Sequence, residues 1–176
     1  MIIEPKSNNS KIVGRYITYL MVALLLAVVH VVLIKFIALE GLTPDLLLIL
    51  CVWITLSEGR FVGLIAAFVC GILFDLITTD IIGSNALAKT IAALIAGWFY
   101  KEASIQHNLG SYRFLGIVLL SSVIHNMVYF FMYIKYSEIR FIPFFMKYGL
   151  AISLYTTVIA IFPMLMKFPR NRLISR

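Results

Sequence analysis

Six apolar runs, separated by short polar turns, fill nearly all of the chain between residues 16 and 166. About 20 apolar residues is the length that carries a helix across a hydrocarbon core. A water-soluble fold has no means of hiding six such runs. Hydrophobic residues are 62% of the chain and charged residues 13%, against about 45–50% and about 25% in soluble domains. The runs are poor in charge and show no strict alternation, which argues against a β-barrel. The expected fold is all-α: a polytopic membrane protein with six transmembrane helices.

The expected spans cover residues 16–36, 45–56, 61–78, 86–100, 112–134 and 144–166. The second is short, so its helix reaches into the flanking turns or the bilayer thins around it. Gly41 and Pro44 mark the first turn, SEGR the next and TTDIIGSN the one after, with Ser84 or Asn85 placed to cap the fourth helix. The expected division is a cytoplasmic N-terminal segment (1–15), a six-helix membrane domain (16–166) and a basic cytoplasmic tail (167–176). The first run is too long for a signal-peptide core and no small-residue cleavage site follows it, so it reads as a retained helix.

The net charge of +7 fits positive-inside topology and anionic headgroups. Nucleic acid is not an expected partner, because no folded basic domain is present to carry it. With six spans both termini share a side. Lys6, Lys11, Arg15, Arg60, Lys101, Arg113, Lys167, Arg170, Arg172 and Arg176 fall on that side, and Lys35, Lys135, Arg140 and Lys147 on the other. The bias of 10 to 4 places both termini in the cytoplasm. Tyr16, Tyr19, Trp53, Trp98, Tyr100 and Tyr112 then mark the inner interface, and Tyr129, Tyr133, Tyr136, Phe144 and Tyr148 the outer one.

This topology gathers the costly polar groups toward the outer half. Lys35, Asp45, Asp75 and Lys89 lie there, with His125 and Asn126 slightly outside the midplane of the fifth helix and His30 at a comparable depth on the first. An ionised group near the bilayer centre costs about 2.5–3.5 kcal/mol or more, so it faces a partner or a wet cavity. Two arrangements are open. Asp75 and Lys89 form an ion pair that locks the third helix to the fourth, or the group lines an outward-facing pocket for a ligand or partner segment. Two histidines at unrelated positions do not make a metal site, and Cys51 and Cys70 read as small buried hydrophobes.

Gly59, Gly63, Ala67, Gly71 and Asp75 recur every four residues on the third helix. They form a winding stripe that lets another backbone approach closely. It packs inside the bundle or forms a seam with a second copy or a partner helix. Ala88, Ala92 and Ala96 form a second stripe on the fourth helix.

Catalytic signatures are missing. There is no HExxH helix, Gly-x-Ser-x-Gly elbow or Walker loop. Asp45 and Asp75 sit in TPDL and LFDL, which lack the YD and GxGD contexts of intramembrane aspartyl proteases. The halves show no self-similarity of the carrier type. The chain is expected to catalyse nothing and to need no cofactor or metal.

Residues 41–99 resemble the core of MreD, the rod shape-determining membrane protein family. The matching features are Pro44-Asp45 opening an apolar helix, Gly63, Gly71 with Asp75 four residues on, and Gly83, Asn85 and Leu87 at the next helix start. Residues 1–40 and 100–176 match only in hydropathy. The resemblance implies a fold like that of the substrate-binding components of energy-coupling-factor transporters, in the bacterial cytoplasmic membrane. It implies MreC as partner, with the RodA glycosyltransferase, its penicillin-binding transpeptidase and MreB filaments contacted indirectly, and a scaffolding role in peptidoglycan synthesis and cell shape. Membrane lipids are further partners, and a homodimer is compatible. The partner or pocket candidates are Pro44, Asp45, Gly63, Gly71, Asp75, Gly83, Asn85, Lys89, His125 and Asn126. Many members of the family carry Gln before the aspartate, where this chain has Phe74; the change argues against a polar ligand there. The alternative is a vitamin-binding subunit of an energy-coupling-factor transporter, docking its energising part through the Ala88, Ala92 and Ala96 stripe.

Overall fold

The computed structural model describes residues 7–32, 42–78, 81–134 and 140–166. Lys35, Lys135, Tyr136, the end of the first expected span and the basic tail lie outside the described residues. The described chain is helical nearly throughout. Its helices are α1 (Ser7–Val32), α2 (Leu46–Glu58), α3 (Arg60–Thr78), α4 (Ser84–Gly97), the short α5 (Ile105–Leu109), α6 (Tyr112–Ile134) and α7 (Phe141–Met166). The fifth and sixth expected spans are α6 and α7.

Four of these helices are long and apolar enough to cross a membrane: α3, α6, α7 and the Ile12–Val32 part of α1. The other two are shorter, 13 residues in α2 and 14 in α4. Helix α2 is apolar all round and forms the axis of the bundle. One of its faces, with Leu47, Leu50, Cys51 and Ile54, packs against α1 and α3. The opposite face, with Ile49, Val52 and Leu56, packs against α6 and α7.

Successive helices alternate in direction, as contacts at the two ends of the bundle show. At one end the Arg15 guanidinium meets the Glu58 carboxylate at 2.8 Å and the Tyr19 hydroxyl donates to it at 2.9 Å, joining the start of α1 to the end of α2. There Arg60 Nε also donates to the Gly97 carbonyl, joining α3 to the end of α4. At the other end Asp45, Lys89 and His125 meet.

The local sequence explains the joints. Asp45 is extended and its carboxylate accepts from Leu48 N at 2.8 Å, so it is the N-cap of α2. Gly59 separates α2 from α3 with φ of +99°, a backbone state that favours glycine. It is therefore a hinge outside the helical stripe in which its spacing placed it. Pro163 lacks the N–H that would bond the Ile159 carbonyl, and α7 is interrupted nearby, at Ala160. A π-helical turn, Phe145–Gly149, forms the second interruption of α7.

The stripe on α3 is used inside the chain. A Cβ on Gly63 would fall onto Thr55 of α2, and one on Gly71 would fall onto the Ala86 backbone of α4. Ala67 between them is wholly buried. Close approach of these backbones is what the small residues permit. The α4 stripe is also interior: Ala88, Ala92 and Ala96 are all fully covered by the bundle.

Candidate functional site

Helices α2, α4 and α6 bring the polar residues together. Asp45 stands at the start of α2, Lys89 one turn into α4, and His125 and Asn126 side by side on α6. Lys89 is 0% exposed, so all three of its ammonium hydrogens need acceptors within the protein. They have them: Asp45 Oδ2 at 2.5 Å, Asn85 Oδ1 at 3.3 Å and His125 Nε2 at 3.3 Å. The Phe74 ring lies 4.9 Å from the same ammonium and adds its π face. His30 of α1 also meets the Phe74 ring edge-on, at 4.6 Å between centroids.

Donor logic sets the histidine tautomer. An ammonium only donates, so His125 Nε2 accepts and Nδ1 carries the proton. Nδ1–H then points to Asn126 Oδ1 at 3.4 Å. The Asn126 amide donates to the Gly149 carbonyl at 3.1 Å and to Ser153 Oγ at 2.9 Å. Gly149 closes the π turn of α7, so the network runs from α2 through α4 and α6 into that irregular segment. Thr156 of α7 returns it to the start: its hydroxyl accepts from Asp45 N at 3.0 Å.

Asp75 has another task. Gly83 adopts φ of +97° before α4 and supplies no side-chain cap. The Asp75 carboxylate takes over that role from the end of α3. It accepts from Gly83 N at 2.8 Å, Asn85 N at 3.1 Å, Ala86 N at 3.3 Å and Ser84 Oγ at 3.4 Å. Otherwise orphaned N–H groups of the first turn are thereby bonded, and the anion sits at the positive end of the helix dipole.

Two expectations are corrected by this geometry. The ion pair joins Lys89 to Asp45, whereas Asp75 is saturated by the first turn of α4. The cap of α4 comes from Asp75 and not from Ser84 or Asn85, because the helix already begins at Ser84.

The structure brings Asp45, Asn85, Lys89, His125 and Asn126 into one network and sets Asp75 and Gly83 beside it. Pro44 is buried next to Asp45, and Gly63 and Gly71 lie along the α3 seams. The cluster is packed shut among its helices, with Asp45, Asp75, Lys89, His125 and Asn126 all buried. Thr156 and Ser153 belong to it and were not singled out by sequence; Phe74, noted only as a departure from the family pattern, faces the Lys89 ammonium. The spacing of Ser153 and Thr156 on one face of an apolar helix is the only trace they leave. A shallow groove on the outside of α3, lined by Phe68, Val69, Ile72, Leu73, Leu76 and Ile77, is wholly apolar in its side chains.

A family model described as rod shape-determining protein MreD matches residues 10–172. No curated protein and no solved structure matches the chain.

Proposed function

The chain belongs to the MreD family of rod shape-determining membrane proteins, and from that premise we propose that it is a non-catalytic scaffold of the bacterial cell-elongation machinery that binds MreC. Through MreC it supports the RodA glycosyltransferase, its transpeptidase partner and MreB filaments in peptidoglycan synthesis. It lies in the cytoplasmic membrane with both termini inside, and α2 and α4 complete six crossings in a fold like that of energy-coupling-factor substrate-binding components. At 1.5 Å per residue α2 and α4 are about 20 Å long, less than a hydrocarbon core of about 30 Å. Their ends are covered by protein, with Leu47, Leu56, Ser84 and Gly97 buried, and need not reach the headgroups.

One observation carries the scaffold reading. Lys89 is matched by three internal acceptors and Asp75 by four internal donors. Charges that a transporter or enzyme would offer to a ligand are spent here on joining helices. What the bundle presents outward is apolar side chain, such as Leu25, Phe68, Leu76 and Leu154. A body of this kind acts through what meets it in the membrane. The burial of Ala88, Ala92 and Ala96 removes the docking stripe on which the transporter-subunit alternative depended.

Co-expression with MreC and purification through a tag on this chain test the proposal. MreC co-purifies in detergent, and tryptophan at lipid-facing positions on one helix face lowers its recovery without lowering the melting temperature. A pure chain that carries a stoichiometric small molecule in native mass spectrometry and never recovers MreC would refute it.

A further inference from the structure

Hydroxyls on helices in an apolar medium usually turn back to the carbonyl one turn behind. Thr18, Thr55, Thr78, Thr90, Ser153 and Thr157 all do so here, at 2.7 to 2.9 Å. Ser121 and Ser122 of α6 do not. Both residues are 0% exposed, and neither Oγ has a hydrogen-bond partner in the protein. Two adjacent buried hydroxyls left unbonded are costly and rare in native proteins.

Their position gives the orphan atoms a meaning. Ser121 and Ser122 lie four residues before His125 and Asn126, the α6 members of the buried network. Four residues on a helix rise about 6 Å, close to two hydrogen bonds laid end to end. The next turn of α6 toward its start is apolar and fully packed, with Val118, Ile117 and Phe114. The two serines thus form the last polar layer before the dry core.

We infer that Ser121 and Ser122 bind internal water, which extends the polar network of His125 and Asn126 by one helical turn. A buried water makes about three hydrogen bonds, and each serine hydroxyl offers one donor and two acceptor positions. The ligand class is water because the layer is enclosed and carries hydroxyls with no net charge. The charge cluster is then hydrated on its α6 side, although closed to the outside. The inference stands on burial and bonding alone and does not depend on the scaffold reading.

A high-resolution structure of the full chain in lipid, together with melting curves of serine variants, tests it. Ordered solvent density is expected within hydrogen-bond distance of both Oγ atoms. Ser121→Ala/Ser122→Ala loses that density and melts roughly 2–4 °C lower, whereas Thr18→Ala, at an exposed back-bonded hydroxyl, leaves the melting temperature unchanged. Hydroxyls rotated onto the Ile117 and Val118 carbonyls with no solvent beside them would overturn the inference. So would a double alanine variant that melts at or above the parent, because removing truly unbonded hydroxyls relieves a cost.

Discussion

The Lys89 ammonium and the Asp45 carboxylate meet at 2.5 Å, so α4 is fastened to the N-cap of α2 by a buried ion pair. The same carboxylate caps its own helix through Leu48 N. Its Oδ1 serves the helix and its Oδ2 serves the lysine.

That division predicts a compensation pattern. Lys89→Met leaves Asp45 buried without its counter-ion and should destabilise the bundle by about 3–5 kcal/mol. Asp45→Asn/Lys89→Met should recover most of the loss, since it leaves no buried charge unpaired and keeps an acceptor for Leu48 N. Asp75→Leu/Lys89→Met should show no recovery. Equilibrium unfolding in mild detergent measures all three, and recovery in the Asp75 combination would restore the Asp75–Lys89 pair, one of the two arrangements that membrane depth left open.

Asp75 should behave as a cap. Asp75→Asn keeps the shape but weakens the charge-assisted bonds to Gly83 N, Asn85 N and Ala86 N. Hydrogen exchange at those amides should accelerate at least tenfold, with amides in the middle of α6 unchanged. Uniform acceleration across both helices would mean that Asp75 supports the fold globally.

The α3–α4 seam leaves no room for a methyl group. Gly71→Ala should lower the yield of monodisperse protein sharply, and Gly71→Leu should abolish it, because the new atoms meet the Ala86 backbone. Ala at Gly116, where a Cβ would meet nothing within 4 Å, should be tolerated. Size-exclusion profiles of a fluorescent fusion distinguish the outcomes; a monodisperse Gly71→Leu would show that the seam can open.

The four long apolar helices were readable because hydrophobicity over a membrane's width is a long, redundant signal. Residues 112–134 were bounded without error for α6, and α3 within a residue. The polar cluster was readable as a set because ionisable residues in apolar runs are conspicuous. Who pairs with whom was not. Asp45 and Asp75 stand at similar depth, and choosing between them needs the rotation of α4, which a single apolar period does not fix. Gly71 settles that rotation through its backbone's close approach to Ala86, and Asp75 through its bonds to Gly83 N and Asn85 N. Thr156 and Ser153 escaped notice because a hydroxyl in a membrane helix can satisfy itself on its own carbonyl, so its presence in the sequence says little.

In the proposed scaffold the buried cluster holds the helices together and MreC reads only the outer surface. MreC recovery measured side by side for the parent chain and for Asp45→Asn/Lys89→Met separates the two roles. Equal recovery is expected, with the double variant eluting and melting close to the parent. Failure of the parent to recover MreC would contradict it, as would loss of MreC from a double variant that is folded and equally stable.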